Sequence, residues 1–136
     1  PYTMLSDAYI TIENGKVSNV SKEKPEGVEV ENFGNMIAIP GLIDVHVHGM
    51  HGKDVAMGTV DAVEVVTKNM PRYGVTSYLP TVVTSSYENF ERSIKSILKV
   101  AEKNLGADIL GIHLEGPYLS KEKKGAQPEE YIRKPN

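Results

Sequence analysis

The apolar and polar positions change texture near residue 40. Before it the runs are short: Tyr9, Ile10 and Ile12 lead to Asn14-Gly15, and Val17 and Val20 follow. Asn-Gly between two apolar runs signals a tight β-hairpin, because both turn positions need positive φ. Val28, Val30, Met36, Ile37 and Ile39 predict further short strands, with a turn at Lys24-Pro25-Glu26-Gly27. After residue 40 strand-like and helix-like runs alternate. Leu42 to Val47 predicts a strand. Thr59 to about Tyr73 predicts a helix, with Thr59 as N-cap and Val60, Val63, Thr67 and Met70 along one face. Gly74 stops it, and Val75 to Val83 predicts a second strand, interrupted near Pro80. Ser85-x-x-Glu88 reads as a capping box. The helix it opens has a stripe of Phe90, Ile94, Ile97, Ala101 and Leu105, with Gly106 as its stop. Ile109 to Glu115 predicts a third strand, and Gly116 to Asn136, rich in charge, Gly and Pro, a long loop.

Strands alternating with helices place the chain in the α/β class, with a parallel sheet and right-handed crossovers. An open doubly wound sheet has no support, since no Gly-x-Gly-x-x-Gly follows a strand. Polar groups at strand C-terminal ends favour a (β/α)8 barrel, whose active sites lie there. A whole barrel takes roughly 250 residues, whereas the entire chain has 136. Residues 40–136 therefore read as the first third of a barrel, three strands of eight, and residues 1–39 as a separate small sheet module. The chain reads as a fragment.

Composition narrows the function. No apolar run approaches the ~20 residues that cross a bilayer, and no signal peptide precedes the first strand, so no membrane partner is expected. The absence of cysteine removes disulfides and thiolate ligands and suits a reducing cytoplasm. A net charge of −3 with both signs mixed argues against a general nucleic-acid surface, while leaving room for a local anion pocket.

The chemistry concentrates at two strand ends. In Asp44-Val45-His46-Val47-His48 the imidazoles share one face of a strand, because successive side chains alternate. Two neutral imidazoles on a rigid strand suit one cation. In His113-Leu114-Glu115 a carboxylate ends an otherwise uncharged strand, where it needs a cation or hydrogen bonds. His46, His48 and Glu115 are the expected metal ligands. His113, one layer deeper, is expected to pack or to support a ligand, and His51 to lie in the Gly-rich loop without ligating.

Taken together, Pro40-Gly41-Leu42-Ile43-Asp44-Val45-His46-Val47-His48-Gly49 resembles the first-strand motif of the amidohydrolase superfamily. Gly74 to Thr81, His113-Leu114-Glu115-Gly116-Pro117, Lys123-Lys124-Gly125-Ala126-Gln127 and Ile132-Arg133-Lys134-Pro135 resemble, more narrowly, the N-acetylglucosamine-6-phosphate deacetylase family. The resemblance implies a (β/α)8 barrel with a small β-sandwich built from both chain ends, of which residues 1–39 supply the first strands. It implies Glu115 as a metal ligand, His46 and His48 as completing a second metal position, and Ala126 and Gln127 as sugar contacts. Some relatives carry His where Gln127 stands. The implied reaction is hydrolysis of the N-acetyl amide of N-acetylglucosamine 6-phosphate to glucosamine 6-phosphate and acetate. One or two divalent ions would assist it, zinc first, with iron, manganese or cobalt also suited. The proton-handling aspartate and the phosphate-binding residues are expected outside this segment, so no catalytic residue is assigned within it. The full-length protein is expected to be a cytoplasmic homodimer, and the segment alone inactive. Two rivals stand beside this reading. One is an amidohydrolase for cyclic amides, of dihydroorotase or hydantoinase type, whose carboxylated lysine between the metals contrasts with Glu115. The other is a non-catalytic fragment that keeps the motif for packing.

Overall fold

A computed structural model describes residues 4–135. The chain divides into two compact units, with the boundary between Ala38 and Ile39.

The first unit is built on one hairpin. Strands β1 (Tyr9–Glu13) and β2 (Lys16–Ser21) pair antiparallel across Asn14 and Gly15. Both turn residues have positive φ, 52° and 75°, as a two-residue connection that follows the strand twist requires. The register slips between Thr11 and Ile12, and Ser18, left over by the slip, donates its hydroxyl to the Thr11 carbonyl at 3.3 Å. The strands expected around Val28, Val30, Met36, Ile37 and Ile39 are not there. Residues 22–41 carry no strand among the described residues. A strand needs a neighbour's N–H and C=O groups, and none docks on this stretch; Met36 and Ile37 stay 78% and 69% exposed. Their apolar pattern specifies a burial that this unit alone does not supply.

The second unit is a small parallel sheet under two helices. In chain order it holds β3 (Leu42–Val47), a two-rung hairpin of β4 (Gly49–Met50) and β5 (Lys53–Asp54), and α1 (Val60–Asn69). Then come β6 (Val75–Val83), α2 (Tyr87–Ala101), β7 (Asp108–Ile109) and β8 (His113–Glu115). Strand β6 is central, parallel to β3 on one side and to β7 and β8 on the other. Thr59 caps α1 as expected, accepting from the Ala62 N–H. The last helical residues, Met70–Tyr73, tighten into a 3-10 turn that Gly74 closes at φ 78°.

Four local expectations change. Pro80 does not interrupt β6: it lies opposite Val47, where the β3–β6 register already slips, so its missing N–H breaks no regular rung. The cap of α2 is Ser86, whose hydroxyl accepts from the Asn89 N–H at 3.2 Å, while Ser85 takes the Asn89 side-chain amide. Helix α2 ends at Ala101, not at Gly106. Gly106 serves close approach instead, since a Cβ there would lie 2.3 Å from the Thr67 carbonyl that accepts from Ala107. Finally, the third strand is split into β7 and β8.

That split sets which residues face the site. Tyr78 is paired with Ile109, but Thr81 with His113, so three steps on β6 match four on the partner. One extra residue between Ile109 and His113 inverts the alternation, as a β-bulge does. Ile109 and Ile112 pack toward the helices, while His113 and Glu115 fall opposite Thr81 and Val83.

The core lies between β6 and the helices. Val63 and Val66 from α1, Met70 from the turn after it, Tyr78 and Val82 from β6, and Phe90, Ile97 and Val100 from α2 form one cluster, joined by Val55 and Ala107. Tyr78 is fully buried and its hydroxyl is satisfied at 2.7 Å by Thr67 Oγ1, which donates onward to the Val63 carbonyl. Burial pushes the Tyr78 phenol up, against the smaller opposing effect of that hydrogen bond. At the surface Glu64 accepts from Lys103 at 2.7 Å and Lys68 at 2.9 Å, tying α1 to the segment after α2. These two ammonium groups, Lys103 foremost, hold the Glu64 carboxyl at about 2.

Two predictions follow from this packing. Because the folded-state value of Glu64 lies below its ordinary 4.5, its contribution to stability is complete above that value and is lost as pH falls toward about 2. Glu64→Gln should flatten the acid limb of a stability–pH profile in that window, and an unchanged limb would refute the pairing. Leu42, Ile43, Val45, Leu110 and Leu114 remain exposed, and β3 and β8 pair only with β6 among the described residues. These 136 residues produced alone should self-associate. Sedimentation showing one monomeric species, with a sharp concentration-independent unfolding transition, would contradict this.

Candidate metal centre

Three side chains meet over the C-terminal end of the sheet. His46 is near the end of β3, His48 directly follows it, and Glu115 ends β8. Their strands lie on opposite sides of β6, roughly 10 Å apart at ordinary strand spacing. The side chains nonetheless close that gap. His46 Nε2 is 3.2 Å from His48 Nε2, and Glu115 Oε2 is 3.3 Å from His48 Nε2 and 3.8 Å from His46 Nε2.

The protonation of His48 follows from its partner. Its Nδ1 lies 3.1 Å from the Thr81 carbonyl oxygen, which can only accept, so Nδ1 carries the hydrogen. In the neutral ring, Nε2 then presents a lone pair toward Glu115 Oε2, another acceptor. Two acceptors at this separation repel unless positive charge lies between them. A tetrahedral ion with bonds of about 2.1 Å would separate its ligands by roughly 3.4 Å, close to the spacings here. Two imidazole nitrogens and a carboxylate oxygen also match the donor chemistry of zinc and similar ions. The residues fit a divalent cation.

The neighbouring residues divide clearly. Asp44 shares the strand face but turns back, accepting the His46 N–H at 3.0 Å. The His113 ring sits edge-on to His46 with centroids 5.0 Å apart, and its Nδ1 is 3.3 Å from the Thr81 hydroxyl. His51 takes a left-handed conformation in its loop, exposed and 6.4 Å from the Tyr73 ring, outside the group. Ala126 and Gln127 line an open cavity of about 510 Å³ together with His48, Glu115, Asp54 and Lys124. Gln127 is largely buried, and its Oε1 accepts the Thr84 N–H at 2.9 Å.

Sequence reasoning missed Thr81, Thr84 and Asp54. Thr84 donates its hydroxyl to the Glu115 carbonyl at 3.0 Å and its N–H to Gln127, so one residue tethers the carboxylate strand and the cavity loop. Gly116 permits this: its φ is 99°, and a Cβ would meet the Thr84 hydroxyl oxygen at 2.0 Å. Asp54 caps the 3-10 turn Val55–Met57 through the Ala56 N–H, which brings its carboxylate to the cavity wall. The available signal was the alternation on β6, which puts Thr81 on the face opposite Tyr78 and Val82.

Residues 37–136 match the Amidohydrolase family. The chain belongs to the amidohydrolase family. The family is metal-dependent, and the His46–His48–Glu115 group is where this amidohydrolase could hold an ion. It is 36% identical over 137 residues to the N-acetylglucosamine-6-phosphate deacetylase of Bacillus subtilis (strain 168), covering 96% of this chain and 35% of that protein. Among solved structures, N-acetylglucosamine-6-phosphate deacetylase from Pasteurella multocida superposes with a TM-score of 0.84 at 31% identity, covering 95% of this chain and 35% of that one. A mutant of N-acetyl-D-glucosamine-6-phosphate deacetylase from Mycobacterium smegmatis, solved with N-acetyl-D-glucosamine-6-phosphate, gives a TM-score of 0.81 at 28% identity over 95% of this chain and 33% of that one. This amidohydrolase segment thus spans about a third of the length of the relatives it matches. No helix among the described residues is long and apolar enough to cross a membrane.

Metal retention checks the geometry. In the full-length protein, His48→Ala and Glu115→Ala should each weaken divalent-ion binding by at least about tenfold, measured by elemental analysis and chelator competition. His51→Ala should leave it unchanged. Equal retention in all three variants would remove the centre from these residues.

Proposed function

We propose that the protein carrying this chain is a metal-dependent amide hydrolase that removes the acetyl group of N-acetylglucosamine 6-phosphate, giving glucosamine 6-phosphate and acetate. The observation that carries this reading is the convergence of His46, His48 and Glu115, the last two lining a cavity with Ala126 and Gln127, in a chain similar over 96% of its length to a deacetylase of that name. On this reading residues 40–136 form the first three strands and two helices of a (β/α)8 barrel, and residues 1–39 belong to a small β-sandwich.

A divalent ion at the trio, with zinc best suited to the donor set and iron, manganese or cobalt acceptable, would supply Lewis acidity for activating water and polarising the amide. The chain's own residues do the positioning. The Thr81 carbonyl holds the His48 ring with Nε2 toward the site. Thr84 holds the backbone of Glu115. The Thr84 N–H fixes which way the Gln127 amide points by donating to Oε1, so its Nε2 hydrogens are free to donate to an acceptor such as a carbonyl or sugar oxygen. No residue of this chain is assigned the transfer of the proton to the leaving amine.

The test is direct. The full-length protein incubated with N-acetylglucosamine 6-phosphate should release acetate and a free amine in equal amounts, lose this activity on chelation and regain it with added divalent ion. An absence of metal-dependent acetate release would overturn the substrate.

A further inference from the structure

We infer that Thr81 is the positioning residue of the centre, its carbonyl orienting the His48 ring while its hydroxyl anchors the backbone between the two imidazoles and fixes His113 beside His46. The inference rests on the reading of His46, His48 and Glu115 as a metal centre. It assigns a role to a strand residue that touches no ion.

The hydroxyl is fully engaged. Thr81 is completely buried on the central strand, with its side chain on the face of the trio. A hydroxyl offers one hydrogen and two lone pairs. Oγ1 donates to the Leu79 carbonyl at 3.2 Å, accepts the Val47 N–H at 3.1 Å, and lies 3.3 Å from His113 Nδ1. With its one hydrogen on Leu79, it accepts from Val47 and, in the tautomer that carries hydrogen on Nδ1, from His113, which uses every position.

Each contact bears on the site. Val47 lies between His46 and His48, opposite Pro80, where the β3–β6 register slips. The Thr81 hydroxyl thus bonds the β3 backbone at this irregular point. His113 presents its ring edge to His46. The Thr81 carbonyl meanwhile holds His48 Nδ1. One residue acts on His46 through its neighbour His113, on His48 directly, and on the peptide joining them. Valine at this position would match the shape yet leave the Val47 N–H and His113 Nδ1 without this partner in a half-buried setting.

The experiment compares wild-type full-length protein with Thr81→Val and Thr81→Ser, reading the Co2+ dissociation constant by chelator competition and the visible absorption of the Co2+ form. Thr81→Val should weaken binding about tenfold or more and alter the absorption band, and Thr81→Ser should restore both. A Thr81→Val protein with a dissociation constant within about twofold of wild type and an unchanged band would overturn the inference. If Thr81→Val does not fold, Thr81→Ala against Thr81→Ser isolates the oxygen, and equal affinities for that pair would overturn it. Wild type that takes up no Co2+ overturns the centre and this role together. Metal-loaded wild type that shows the Thr81→Val loss but no deacetylation supports the role of Thr81 and overturns only the substrate.

Discussion

Two imidazole nitrogens and a carboxylate oxygen facing one another at 3.2–3.8 Å form an electrostatically costly arrangement without positive charge at its centre. The surrounding structure is organised around holding it. The trio comes from strands on either side of β6, and β6 itself supplies the restraints, through both polar groups of Thr81 and through Thr84 just beyond the strand. The helices press on the opposite face, where Tyr78 and Val82 are buried. The central strand therefore turns Tyr78 and Val82 to the helices and Thr81 to the site, and its two functions share one backbone.

Much of this was legible in the sequence wherever a local period decided it. The His-x-His pair follows from strand alternation, the Thr59 cap from its position before an amphipathic run, and the hairpin from Asn14-Gly15. Glu115 stood out as the only charge on its strand. Less legible were features set by contacts between distant segments. Gly106 looks like a helix stop but is required by the approach of Thr67, and Ser85 and Ser86 are indistinguishable as caps until Asn89 chooses between them. The hydroxyls of Thr81 and Thr84 look like ordinary β-branched strand residues. Their roles depend on backbone groups more than thirty residues away in the chain, the Val47 N–H and the Glu115 carbonyl.

The run from Val28 to Ile39 failed for a different reason. Its apolar residues describe a sheet face, yet a face becomes a strand only when a neighbour offers hydrogen bonds. The same logic applies to the exposed apolar side chains of β3. Pattern reports what a segment is suited to pack against, and pairing depends on whether that surface is at hand.

The extra residue between Ile109 and His113 has a consequence for how this segment can vary. It acts as a parity switch: because of it, Glu115 projects to the polar side while Ile109 stays with the apolar one. Deleting any single residue from Leu110-Gly111-Ile112 would leave every functional side chain in the chain and still send the carboxylate into the hydrophobic layer. Variation in the chemical identity of these three residues is then a matter of packing, whereas their number sets which face Glu115 takes.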